Sequence, residues 1–218
     1  MMPAMTKNQF EPVWRSAAFI GALVALLTLG ACAPATRQPT QVKIEIQDNV
    51  GFTIVEEAGI SGEARERYQA AHSLFAQQRF VEGIALLEQL VDAEPELSAP
   101  RIDLAIAYHQ QGDLESAEQN LRAALEQNPT HPLALNELGI IYRKTGRFDE
   151  ARSSYEKALE VYPGFHSARR NLAVLCDLYL GDAQCALDNY EAYMETVAED
   201  PDVAIWMADL RNRSGGQE

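Results

Sequence analysis

Leu138-Gly139-Ile140-Ile141-Tyr142 is followed by Gly146-Arg147-Phe148, and then by Ala151, Tyr155, Ala158 and Pro163. Stepping back 34 residues along the chain gives Leu104, Ala105, Tyr108, Gly112, Leu114, Ala117, Leu121, Ala124 and Pro129. A further step of 34 gives Ala70, Ala71, Leu74, Gln78, Phe80, Gly83, Leu87, Leu90 and Pro95. A fixed period of this length marks a stack of similar units. Within one unit, Leu138, Ile141 and Tyr142 fall on one helical stripe, and Ala151, Tyr155 and Ala158 on a second. Gly139 and Ala151 are small, so two antiparallel helices can approach closely. Gly146 stands where a helix ends and a positive φ is convenient. Pro163, Pro129 and Pro95 stop the second helix of each unit. No unit hides its apolar face alone, so the stack itself is the fold.

These residues resemble the tetratricopeptide repeat, with its Leu-Gly-x-x-Tyr, Ala-x-x-x-Phe and closing Pro. The fold class expected is therefore all-α: a solenoid of helical hairpins of the tetratricopeptide type, after a short extended N-terminal segment. The units read as 64–97, 98–131 and 132–165. A degenerate fourth covers 166–200, where Leu172 and Ala173 keep register but Gly181 arrives one residue late. A capping helix follows over 201–213, opened by Pro201 and carrying Ile205, Trp206, Ala208 and Leu210, with a charged tail of Asp209, Arg211 and Arg213. Nine helices and no strand are expected between residues 63 and 213.

Ahead of the repeats the chain changes character twice. Lys7 and Arg15 precede an uncharged apolar run from Ala17 to Leu29. The run is shorter than the roughly 20 residues a spanning helix needs, and it ends in small residues as a secretory segment does. Leu29-Gly30-Ala31-Cys32 resembles the lipobox of bacterial lipoproteins. That resemblance implies removal of residues 1–31, acylation of Cys32, and a tether over 32–41. Ala33, in place of an aspartate, implies the outer membrane with the chain facing the periplasm. Over 42–60, Val42, Ile44 and Ile46 alternate with Lys43, Glu45 and Gln47, and Phe52, Ile54 and Val55 follow a turn-like Asp48-Asn49-Val50-Gly51. Two readings stand for it: a small hairpin that offers an edge to a partner, or a partly ordered linker.

Chemistry is sparse. Lys and Arg number 18 against 32 Asp and Glu, a net charge of −14, which lacks the footprint of a nucleic-acid binder. Three cysteines and four histidines exclude a disulfide-dense scaffold and a multi-zinc protein. No zinc-protease, serine-hydrolase or phosphate-loop motif is present. His72, His109, His131 and His166 have no cysteine or carboxylate at ligand spacing, and the last two sit at unit junctions where capping is the ordinary role. No catalytic residue, metal, cofactor or small-molecule substrate is expected. Cys176 and Cys185 flank the turn of the fourth hairpin, where their Cα atoms can come within the ~7 Å that a bridge requires. They form a disulfide, or both stay free as small buried hydrophobes.

In helix-pair repeats the first helix of each pair lines the inner face. The residues expected there are Tyr68, His72 and Phe75 in unit one, and Ile102, Ile106, His109 and Gln110 in unit two. Unit three adds Asn136, Ile140, Arg143 and Lys144, and unit four Arg170, Val174 and Asp177. Ile102, Ile106 and Ile140 form an apolar line, with Arg143, Lys144 and Arg170 at one end, suited to a partner segment of apolar residues flanked by acids. The competing reading packs these residues between units or under the N-terminal segment. Some relatives grip a C-terminal carboxylate with Lys and Asn over three repeats. The corresponding positions here hold Tyr68, His72, Asp103, Leu133 and Glu137, so that clamp is absent. The function expected is a non-catalytic, lipid-anchored scaffold for proteins of the cell envelope, or else a periplasmic adaptor or holdase acting on an envelope hydrolase or protease.

Overall fold

The computed structural model describes residues 42–47, 51–56, 60–197 and 199–215. The lipobox, Cys32 and the tether lie outside the described residues. Two strands, β1 (Val42–Gln47) and β2 (Gly51–Glu56), pair antiparallel with Val42 opposite Glu56 and Gln47 opposite Gly51.

Nine α-helices follow among the described residues: α1 (Gly62–Ala76), α2 (Phe80–Ala93), α3 (Ser98–Gln111), α4 (Leu114–Gln127), α5 (Pro132–Lys144), α6 (Phe148–Val161), α7 (His166–Leu175), α8 (Ala183–Thr196) and α9 (Pro201–Gly215). Between residues 60 and 215 the described residues contain no strand. Helices α1 to α8 pair as four hairpins, each packed on the next. The second helix of each of the first three hairpins ends two residues before Pro95, Pro129 or Pro163.

The small residues are the hinge of this packing. Ala71, Ala105 and Ala173 on the first helices, and Ala117, Ala151 and Ala186 on the second, are all buried. Tyr155 lies across Gly139, and a Cβ there would come within 2.5 Å of its ring. One continuous core runs from α3 to α9, and a smaller one joins α1 and α2 to α3. Val203, Met207 and Leu210 of α9 are buried, so this helix covers the last apolar face, as a terminal cap must.

Helix ends use local side chains. Ser61, Asp113, Asp182 and Asp200 accept hydrogen bonds from N–H groups three residues ahead, at 3.0–3.2 Å, the ordinary N-cap arrangement. His131 does the same for α5, its Nδ1 accepting from the Ala134 N–H at 3.3 Å. The ring is buried, and that burial pushes its pKa down to about 4. His166 is instead the first residue of α7.

The late Gly181 has a structural solution. Cys176–Leu180 forms a single π-helical turn after α7, and the N–H groups of Gly181 and Asp182 both return to the Cys176 carbonyl. The wider turn absorbs one extra residue. Gly181 then takes φ 65°, as Gly112 takes 84° and Gly146 takes 78°. In the first hairpin Gln78 occupies the same place at φ 61°. Cys176 and Cys185 are bonded to one another, with Cα atoms 5.9 Å apart. Asp182 lies beside them, but its carboxylate caps α8 and pairs with Arg152 at 2.9 Å. With both sulfurs spent on the bridge, the trio does not make a metal site.

Candidate protein-binding groove

The first helices of the hairpins lie in sequence, with α5 touching both α3 and α7. Because equivalent positions recur every 34 residues, three rows cross this face. The central row is His72, Ile106, Ile140 and Val174. His72 is exposed, and the three aliphatics are half-buried, resting on the core from outside. A row on one side reads Asp103, Glu137 and Asn171. A row on the other reads Phe75, His109, Arg143 and Asp177.

This geometry corrects the expected line at two places. Ile102 is only 2% exposed and belongs to the core cluster that includes Leu135 and Leu138 of the next hairpin. It packs between units and cannot face a partner. Asn136 is equally buried, yet it remains part of the site from beneath. Its Oδ1 accepts from Asn171 Nδ2 at 2.9 Å, and its Nδ2 donates to Glu137 Oε1 at 3.1 Å. The physical reason is the helical phase. Positions 102 and 136 point toward the neighbouring hairpin, whereas positions one residue later point outward.

A third correction concerns charge. Arg143 and Lys144 close the C-terminal end of α5, where Lys144 is exposed and Arg143 half-buried. The Arg143 guanidinium sits 5.7 Å from the Tyr179 ring centre and donates to Tyr179 Oη at 3.4 Å. Arg170 lies in the N-terminal half of α7, on the opposite edge. Its Nε is 3.8 Å from Asp200 Oδ2, and its guanidinium lies over Trp206 at 5.2 Å. The three cations therefore do not form one end of the groove. His109 is held below the usual histidine range by burial first, and then by Lys144 and Arg143, so it is neutral near pH 7.

A cleft of about 440 Å³ lies on this face between α5, α7 and the α8–α9 connection. Asn136, Glu137, Ile140, Arg170 and Asn171 line it, and Leu133, Phe165, His166 and Ser167 complete that wall. Tyr193 and Asp200 close the far side, with Tyr193 Oη donating to Asp200 at 2.8 Å. Burial pushes the Glu137 carboxyl above the ordinary range, and the Asn136 hydrogen bond opposes that in part. At the other end of the face, His72 Nε2 lies 2.9 Å from Asp103 Oδ2, and Tyr68 Oη donates to the same oxygen. The Tyr68 and His72 rings meet edge-on at 4.6 Å.

Asn171, Tyr193, Asp200 and the His72–Asp103 pairing are not singled out by the repeat pattern. Asp200 had a readable signal, an Asp immediately before a helix-opening Pro. Asn171 and Asp103 had one too, since each is a single residue from a position already assigned to the groove. Tyr193 had none, because it reaches the cleft from a second helix.

Comparison with known proteins fits this architecture. The tetratricopeptide repeat family model matches residues 96–164 and 130–199. The photosystem I assembly protein Ycf3 of Prochlorococcus marinus is 33% identical over 103 residues, covering 41% of this chain and 57% of that protein. A probable UDP-N-acetylglucosamine–peptide N-acetylglucosaminyltransferase, SPINDLY of Solanum lycopersicum, is 28% identical over 113 residues, covering 52% of this chain and 12% of its own. The chain thus spans little more than half of the first and a small part of the second. Among solved structures, MamA of Desulfovibrio magneticus RS-1 superposes with TM-score 0.64 at 15% identity, covering 72% of this chain and 88% of that one. PilF of Pseudomonas aeruginosa does so with TM-score 0.63 at 21% identity, covering 71% and 70%. These likenesses establish the fold. The chain carries tetratricopeptide repeats, stacked as a solenoid of that type.

Proposed function

We propose that the chain is a non-catalytic scaffold that holds a segment of a partner protein across the face of α3, α5 and α7. The observation that carries this is the open row Ile106, Ile140 and Val174 running beside the 440 Å³ cleft. Fully burying an aliphatic side chain is worth about 1.5–3 kcal/mol. These three are already half-buried, so covering them returns about 1 kcal/mol apiece. That sum is small beside the cost of association, so the polar groups of the cleft must supply much of the selectivity. Ycf3 is a photosystem I assembly protein, and a holding role here is compatible with that.

The site proposed is an envelope one. Cys32, in its lipobox-like context, anchors the chain by acylation at the outer membrane, with the repeats facing the periplasm and envelope proteins as partners. Among the described residues no helix is long and apolar enough to cross a membrane. The Cys176–Cys185 bridge accords with an oxidising compartment.

Two measurements test the proposal. Labelled palmitate should enter the wild type and not Cys32→Ala; equal labelling would remove the anchor. Ile140→Glu should abolish partner capture while leaving the circular-dichroism spectrum and melting curve nearly unchanged. A folded Ile140→Glu protein that still captures its partners would place binding elsewhere.

A further inference from the structure

The groove's other carboxylates are compensated within the chain. Asp103 holds His72 and Tyr68. Asp177 pairs with Arg213 at 2.8 Å. Asp200 faces Arg170 and accepts from Tyr193. Glu137 differs: among the described residues it pairs with no cation, and its hydrogen bond comes from the neutral Asn136 amide. It is half-buried, and desolvation weighs on its charged form. A carboxylate withdrawn from water without a counter-charge is costly, and the cost is recovered when a cation arrives.

The surroundings are built to receive that cation. Asn171 orients Asn136, Asn136 donates to Glu137 Oε1, and Glu137 lines the cleft with its second carboxylate oxygen not used by Asn136. Asn136 is 2% exposed, so this relay is fixed by packing. Leu133, Phe165 and Ile140 line the same cleft and offer apolar surface to the methylene stem of a long basic side chain. Arg170 lines the same cleft, but its nearest carboxylate is Asp200, 3.8 Å from its Nε, with its guanidinium over Trp206, and it makes no ion pair with Glu137. The chain's charge of −14 favours approach of a basic segment.

We propose that Glu137 is the docking point for a lysine or arginine of the partner segment, inserted into the cleft while neighbouring apolar residues lie on Ile140 and Ile106. This rests on the groove reading above and sharpens it. The partner is basic at the Glu137 edge, in contrast to the acid-flanked segment that the repeat pattern alone suggests.

The probe is a random peptide library displayed on beads and incubated with the whole folded protein. Peptides retained by the wild type should be enriched in Lys or Arg next to aliphatic residues. Replacing the basic residue of a selected peptide by methionine should weaken binding to the wild type by about 30-fold. The same replacement should matter little to Glu137→Gln, the signature of a direct coupling. The peptide-side change needs no protein variant, so a folding defect cannot imitate it. Selected peptides without basic enrichment, or a methionine replacement that costs the same in both proteins, would overturn the docking role of Glu137. The groove would still stand if Ile140→Glu loses those peptides. Retention of the same peptides by Ile140→Glu, or no retained peptide at all, would overturn the groove and this inference with it.

Discussion

His131 links a helix cap to the pH dependence of the whole stack. Its neutral Nδ1 accepts the Ala134 N–H, and protonation of that nitrogen would both abolish the cap and place a charge in a buried position. The folded-state pKa is about 4, lowered by burial from an ordinary 6.5. The unfolded chain therefore binds a proton at this site between pH 6.5 and pH 4 while the folded chain does not. Stability from this group is complete above about pH 6.5 and falls as pH drops toward 4. At 1.36 kcal/mol per pKa unit, the loss is about 3 kcal/mol. His131→Asn keeps an acceptor at the cap but does not titrate, and asparagine is a good N-cap residue. Urea unfolding followed by circular dichroism, from pH 8 to pH 4, measures the effect. The wild type should lose about 3 kcal/mol relative to His131→Asn across that range, with the difference vanishing above pH 7. Parallel pH profiles for the two proteins would show that the ring protonates in the folded state without cost, and would refute the reasoning.

Gly139→Leu should destabilise by about 3 kcal/mol in the same assay, because even its Cβ meets the Tyr155 ring at 2.5 Å. An unchanged melting temperature would contradict the close approach of α5 and α6. Gln78→Gly should stabilise by about 0.5–1 kcal/mol, since a non-glycine residue now holds φ 61°; a lower melting temperature would indicate that the glutamine side chain compensates for its backbone. Cys185→Ser should cost about 2.5 kcal/mol from the short loop that the bridge closes, and reduction of the wild type by dithiothreitol should reproduce the loss. A variant as stable as the oxidised wild type would mean that the hairpin holds without the bridge.

The repeat could be read without coordinates because its physics is local. Small residues at 71, 105, 139 and 173, a turn residue at 78, 112 and 146, and a proline closing each of the first three hairpins express constraints that act within one hairpin. Even the extra residue before Gly181 was visible, although the sequence did not say that a π turn would absorb it. The groove was legible only to within one residue of helical phase. Periodicity identifies which positions are apolar, but Ile102 and Ile106 look alike in a sequence. Only the packing of α5 against α3 buries the first and leaves the second open. Charge behaved in the same way. Arg143 and Arg170 read as neighbours because both are cations on first helices, yet they sit at opposite ends of their helices and on opposite edges. The unpaired state of Glu137 belongs wholly to the tertiary structure. It depends on Arg170 lying beside Asp200 and Trp206 and on Arg143 donating to Tyr179, partners that come from the fourth hairpin, the α8–α9 connection and the cap. The sequence by itself determined the repeat, its period and its breaks. The fold decided which side chains were left for a partner, because exposure and charge pairing are properties of neighbours in space.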